Sequence, residues 1–313
     1  MPLADRVNLE HCPPLLESWQ ELVGANINPR RRGPNGVRAM VAQDNGLKTN
    51  GMKASLASGG FAIGAYIGFV RNPAMMRILA GTGYDFAFID TTHSGYSWET
   101  LSDFCDMARA CGLDPILRPY EQSHGVAQRM LDIGAAGLLY PDVRSGEDAS
   151  RLAHNLKYPP LGGRGAFGLN GPLSDYALPA SLKAVEVREH LDANTLLAIQ
   201  VESAEAIDML DDILSVGGID VVEVGRSDLS TSYGAPLEIR HPKVLAAVDK
   251  VASTCAKYGV APGAGCYSQE DASDMVARGM RWLTYSSDTK VIVSGYAQGS
   301  DMLRSIIARH QGG

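Results

Sequence analysis

The chain has 313 residues, 45% hydrophobic and 20% charged, an ordinary globular composition that excludes a disordered or fibrous protein. With 28 Lys and Arg against 35 Asp and Glu, the formal net charge is −7, so a nucleic-acid backbone is not an expected partner. No apolar run approaches the roughly 20 residues needed to cross a bilayer, and the N-terminus MPLADRVNLEH has no apolar core, so neither a membrane partner nor a secretory signal is expected.

In chain order, the first signal is a short amphipathic helix over 13–23, with Leu15, Leu16, Trp19, Leu22 and Val23 on one face. The stretch GANINPRRRGPNG (24–36) reads as a loop, in which Arg30 to Arg32 are either an anion site or a solvated basic turn. From about residue 60, short runs rich in Ile, Val, Leu and Phe alternate with helical periodicity. The runs are 62–69, 86–92, 114–120, 137–143, 196–203, 219–229, 261–267 and 281–288. Near-continuous hydrophobicity, rather than strict alternation, predicts parallel strands covered on both faces. Helix starts follow at Asn72-Pro73, Ser97, Ser145, His241-Pro242 and Ser268, and helix stops at Gly112 and Gly279.

Eight such units predict an α/β chain folded as a (β/α)₈ TIM barrel over 51–313, preceded by an N-terminal helical extension over 1–50. A doubly wound open sheet is the rival, but it calls for a glycine fingerprint after strand one, where this chain has VRNPAMM. A glycine-rich stretch from Tyr158 to Glu189 reads as a long loop, either a lid or simply irregular. Cys12, Cys105, Cys111, Cys255 and Cys266 show no CxxC or CxxH spacing, so free thiols in a cytoplasmic enzyme are expected.

A barrel of this kind carries its active site at the C-terminal ends of the strands. Glu202 and Asp228 interrupt apolar runs one βα unit apart. They form either a hard oxygen site for Mg²⁺ or Mn²⁺, or carboxylates paired with arginines or capping helices. Arg118 ends a buried run and either clamps a substrate carboxylate or enolate oxygen or forms an ion pair with Glu202. His93, just past Asp90, is either a base whose tautomer the acid fixes or a structural histidine. The only lysine at a predicted strand end is Lys290, just beyond strand eight.

The segments NGMKASLASGG, GYDFAFIDTTH, LRPY, MLDIGAAGLLYPDV, LKYPPLGGRG, IQVES and GIDVVEVGRSDLS, in that order, resemble the HpcH/HpaI aldolase family over roughly residues 50–290. These are metal-dependent class II pyruvate aldolases, related to 2-keto-3-deoxy-glucarate and 4-hydroxy-2-oxoheptanedioate aldolases and to macrophomate synthase. The resemblance implies a barrel of the phosphoenolpyruvate/pyruvate-binding type. It also implies a C-terminal helix, 289–310 here, exchanged in a homo-oligomer (a hexamer built as a trimer of dimers). Carried over position by position, Glu202 and Asp228 match the ligands of Mg²⁺, or Mn²⁺ or Co²⁺ in its place. Arg118 matches the arginine on the keto oxygen, and His93 with Asp90 the proton-transfer pair. The backbone of Gly225, Ser227 and Asp228 matches the carboxylate-binding segment.

Two departures stand out. Thr92 occupies the place of the family's glutamate before the histidine, and Arg226 follows Gly225 where the family often has proline. Arg226 either clamps a second carboxylate or points into solvent, and Arg164 with Phe167 either reads the second substrate or fixes its loop. The expected function is cleavage or formation of 4-hydroxy-2-oxo acids from a 2-oxo acid and an aldehyde or second carbonyl substrate, without a lysine Schiff base. A biosynthetic synthase using an oxaloacetate- or phosphoenolpyruvate-derived enolate is the first alternative. A catalytically silent binding or scaffold barrel is the second.

Overall fold

Each of eight parallel strands bonds its neighbour in sequence, and the last bonds back to the first, closing a barrel. The computed structural model describes residues 47, 49–166, 169 and 182–311. The strands are β1 (Ala62–Ile67), β2 (Phe86–Asp90), β3 (Asp114–Arg118), β4 (Gly137–Tyr140), β5 (Leu196–Val201), β6 (Val221–Val224), β7 (Ala261–Cys266) and β8 (Trp282–Ser287). All eight lie inside the apolar runs read from the sequence. The strands β2 to β6 are buried at every position, because one face fills the barrel and the other meets helices. This is the (β/α)₈ TIM barrel that the periodicity predicts.

The helices are α1 (Gly51–Ala57), α2 (Ala74–Gly81), α3 (Trp98–Ala110), α4 (His124–Asp132), α5 (Gly146–Leu156) and α6 (Ala184–Asn194). They continue as α7 (Ala204–Asp208), α8 (Leu210–Ser215), α9 (Arg226–Ser232), α10 (Pro242–Tyr258), α11 (Gln269–Ala277) and α12 (Asp288–Gln311). Their starts follow capping chemistry. The side chains of Ser97, Ser145 and Ser268 accept from Thr100, Asp148 and Asp271 N–H, and His241 accepts from Lys243 N–H ahead of Pro242.

The structure differs from the sequence reading in two places. The tail of the expected 158–189 loop is helical, since α6 begins at Ala184. The sixth run is not one strand: β6 stops at Val224 and α9 begins at Arg226, which puts Asp228 in a helical turn. The expected helix over 13–23, Arg30 to Arg32, Cys12 and Phe167 lie outside the described residues. The four described cysteines are free thiols.

The base of the barrel is closed by apolar packing. Phe86 and Trp282 stack with ring centroids 3.8 Å apart, and α1 lays Met52 and Leu56 into the same cluster. Gly64 makes room for this plug, because a Cβ there would sit 2.2 Å from the Phe86 ring. A larger apolar shell joins the strands to the surrounding helices. By contrast α12 is buried only at Asp288 and exposes Val291, Val293, Tyr296, Leu303 and Ile307. No helix among the described residues is long and apolar enough to cross a membrane.

Candidate active site

The strands deliver a polar mouth at their C-terminal ends. A cavity of about 270 Å³ is lined there by Tyr66, His93, Arg118, Gln200, Glu223 and Ser227, among others. A second, of about 630 Å³, is lined by Asp142, Arg144, Glu202 and Glu205, and Asp228 borders both.

Glu202 follows directly on β5, and Asp228 stands in the first turn of α9. The neighbouring buried arginines do not neutralise them, since Arg118 pairs with Asp90 and Arg226 with Asp271. One Glu202 oxygen accepts the Asp142 N–H at 2.9 Å. To aim that N–H, Asp142 adopts φ +52°, a conformation uncommon for a residue with a side chain. The other oxygen lies against Gly225, where a Cβ would come within 2.5 Å of it. Burial pushes the Glu202 carboxyl up to about 7, and the Asp228 charge adds to the shift, against a smaller pull from Arg118.

Glu202 is half-buried and Asp228 exposed, and a divalent cation between two like-charged hard carboxylates would relieve their repulsion. Among the described residues no group of three or more His, Cys, Asp or Glu could hold a metal. A pair of carboxylates fits a hard divalent cation that takes one or two carboxylates and keeps its other positions for water and substrate oxygens. The pair does not fit a closed cage.

Arg118 and Asp90 are partners across the β2–β3 register. Asp90 is fully buried, and four donors converge on its oxygens. Arg118 Nε donates to Oδ1 at 2.7 Å, Thr92 N–H to Oδ1 at 2.9 Å and His93 N–H to Oδ2 at 3.1 Å, while the Tyr66 hydroxyl also bonds Oδ2. Burial alone would raise the Asp90 carboxyl, but these bonds and the Arg118 charge hold it below its usual value. The same burial, reinforced by the Asp90 bond, pushes the Tyr66 hydroxyl up.

This corrects two expectations. Asp90 bonds the His93 backbone and spends its carboxylate on Arg118, because the guanidinium lies directly opposite it. Arg118 in turn pairs with Asp90 rather than Glu202. His93 itself stands exposed at the cavity edge.

Arg226 also reads differently. It is 3% exposed, and its terminal nitrogens bond both oxygens of Asp271 on α11 at 2.8 and 2.7 Å, with a further bond to the Gly265 carbonyl. A fork committed to one carboxylate is neither a clamp for a second nor a solvated side chain. Arg164 is 1% exposed, lies 4.6 Å from the Tyr158 ring centroid and pairs with Asp132 at 3.0 Å. Asp132 ends α4, so Arg164 ties its loop to that helix, and it lines neither cavity.

Sequence reasoning missed Tyr66, Gln200, Glu223 and the Asp142 N–H. Glu223 carried a signal, a carboxylate in the middle of an apolar strand. Burial pushes it up, against bonds from Trp282 and Gln200 and the Arg118 charge. Lys290 lines the cavity with its ammonium 4.7 Å from the Tyr267 ring centroid.

Comparison with known proteins adds four findings. The family model for HpcH/HpaI aldolase/citrate lyase matches residues 66–295. A 2-keto-3-deoxy-L-rhamnonate aldolase of Shigella sonnei is 31% identical over 83% of this chain and 96% of its own length. A 4-hydroxy-4-methyl-2-oxoglutarate aldolase of Hapsidospora irregularis is 29% identical over 85% and 97%. The crystal structure of an HpcH/HpaI aldolase from Desulfitobacterium hafniense superposes with a TM-score of 0.76 at 29% identity, covering 81% of this chain and 96% of that one.

Proposed function

The chain belongs to the HpcH/HpaI aldolase/citrate lyase family and is a carbon–carbon lyase, and on that premise we propose that it cleaves and forms 4-hydroxy-2-oxo acids through a pyruvate-type enolate. The reading is carried by Glu202 and Asp228, two carboxylates that Arg118 and Arg226 leave unneutralised at the rim of a polar cavity.

Glu202 and Asp228 would hold Mg²⁺, with Mn²⁺ or Co²⁺ as substitutes, and a cation there supplies Lewis-acid charge beside the keto oxygen. Arg118 is held at Nε by Asp90, faces Gln200 Oε1 with Nη1, and lines the cavity with donors to spare. Those donors bond the keto oxygen, and the bond strengthens as charge moves from C3 onto that oxygen. In cleavage the C4 hydroxyl loses its proton, the C3–C4 bond breaks, the aldehyde leaves and C3 regains a proton. His93, at the cavity edge, takes and returns those protons. Ser227 lines the cavity where the substrate carboxylate enters. Gly225 contributes room for Glu202, since its N–H is spent on the Val201 carbonyl at 3.0 Å.

In this reading residues 1–50 are an extension outside the catalytic unit over 51–313, and the enzyme is a cytoplasmic homo-oligomer. The apolar side chains along α12 suit packing against a second copy, and a hexamer built as a trimer of dimers is the expected sedimenting species.

Thr92 favours one other reading. Its hydroxyl bonds the Pro119 carbonyl at 3.2 Å, and no carboxylate stands at that position to assist proton removal. An enolate released from oxaloacetate by loss of CO₂, or from phosphoenolpyruvate, needs no proton taken from C3, as a synthase would use it. NMR exchange of pyruvate methyl protons in D₂O with Mg²⁺ tests the main reading. Exchange should vanish with EDTA and in Glu202→Ala, and exchange surviving both contradicts it. No exchange, but condensation from oxaloacetate, selects the synthase. Metal binding without either reaction selects a silent binding barrel.

A further inference from the structure

We propose that Glu223 is a positioning residue for Arg118, acting from inside the barrel through the amide of Gln200. The proposal deepens the reading above and rests on Arg118 being the group that meets the keto oxygen.

Glu223 lies in register with Gln200 on β5 and Gly263 on β7, and it is 4% exposed. A carboxylate there requires donors, and two strong ones reach it, with the Thr284 hydroxyl a weaker third. Trp282 Nε1 donates to Oε2 at 2.9 Å, and Gln200 Nε2 donates to Oε1 at 3.1 Å. The far end of the same amide, Oε1, faces Arg118 Nη1 at 3.4 Å. Arg118 Nε then donates to Asp90. A single connected chain thus runs across the barrel from β8 to β2, with donors converging on Glu223 and diverging from Arg118.

The polarity of each bond is forced by chemistry. An indole N–H can only donate, a guanidinium can only donate, and a carboxylate only accepts. The amide is the one member that can turn over, and Glu223 decides which way it points. With a carboxylate at 223, the amide NH₂ must face Glu223 and its oxygen must face Arg118. Arg118 is then gripped on two sides, at Nε by Asp90 and at Nη1 by Gln200, which fixes the plane of the fork and leaves Nη2 for a substrate oxygen.

A glutamine at 223 breaks this logic with almost no change of shape. Its oxygen must accept from Trp282, so its NH₂ faces Gln200. Gln200 then turns its oxygen to position 223 and its own NH₂ toward Arg118, donor against donor. Arg118 loses its second grip while the Asp90 bond remains. A residue that merely filled space would not respond to this change of polarity.

Three measurements decide the matter. First, kcat/KM for a 4-hydroxy-2-oxo acid should fall about tenfold in Glu223→Gln. In an Arg118→Lys background the same change should cost almost nothing, because the fork it aims is gone. Second, the exchanged pair Gln200→Glu with Glu223→Gln restores an acceptor beside Arg118 and a donor–acceptor amide below it, and should recover most of the loss. Third, ¹⁵N-arginine NMR of the protein, which needs no turnover, should show the Arg118 Nη1 protons losing protection in Glu223→Gln while Nε–H keeps it. An equal cost in both Arg118 backgrounds, no recovery in the exchanged pair, or an unchanged Nη1 signal overturns the proposal. If Arg118→Lys alone leaves kcat/KM unchanged, the functional reading of Arg118 fails, and the Nη1 signal still decides whether Glu223 positions it.

Discussion

At the base of the barrel the interior is a dry stack of Met52, Leu56, Phe86 and Trp282. At the mouth, the same strands hold Asp90, Arg118, Gln200, Glu223 and, just beyond β5, Glu202. The change takes one or two steps along the inward face. On β2 the inward residues are Phe86, Phe88 and Asp90, on β3 Ile116 and Arg118, on β5 Leu196, Ala198 and Gln200, and on β6 Val221 and Glu223. An apolar plug that closes one end lets the other end hold desolvated charge without relying on it for stability.

Variants at the two ends should separate these roles. The largest effect belongs to the base: Phe86→Ala should lower unfolding free energy by about 3–5 kcal/mol in chemical denaturation. Pyruvate exchange per folded molecule should stay within about twofold, and a large loss of exchange would mean that the two ends are not separable. Next comes the rim pair. Arg226→Met leaves Asp271 buried without its partner and should cost about 3 kcal/mol of stability with KM for the 2-oxo acid unchanged. A raised KM with stability intact would restore Arg226 as a substrate clamp.

Arg118→Lys should invert that pattern. A point charge cannot reproduce the fork, so kcat/KM should fall roughly thirtyfold, about 2 kcal/mol of transition-state stabilisation, with little change in thermal unfolding. Near-unchanged turnover would make Arg118 structural.

The smallest effect is at the start of β3. Burial pushes Asp114 up to about 7, against an opposing pull from Arg109. Its folded-state value lies above the unfolded one, so its contribution favours folding at low pH and is lost as pH rises from about 4 through about 7. Relative to Asp114→Asn, the wild-type melting temperature should therefore decline between pH 5 and 8, by the equivalent of on the order of 1 kcal/mol. Parallel pH profiles would place the charge elsewhere.

What could be read from the sequence follows the range of the interactions. The eight strands are legible because burial on both faces leaves unbroken apolar runs, and the helix starts because Ser97, Ser145, Ser268 and His241-Pro242 cap within their own first turns. Glu202 and Asp228 are legible as carboxylates ending apolar runs. Partner choice is not. Arg226 finds Asp271 45 residues away, and Asp90 chooses Arg118 over its near neighbour His93 because strand register, rather than sequence distance, sets which side chains face each other. The Asp142 N–H was hidden for a different reason, since a backbone donor aimed by a positive φ leaves no mark in residue type.

The most direct test of the account is a crystal grown with Mn²⁺ and pyruvate and measured at the manganese edge. The account predicts one anomalous peak shared by Glu202 and Asp228, with the keto oxygen within hydrogen-bond reach of Arg118. A peak elsewhere in an active crystal, or pyruvate bound away from Arg118, would contradict it.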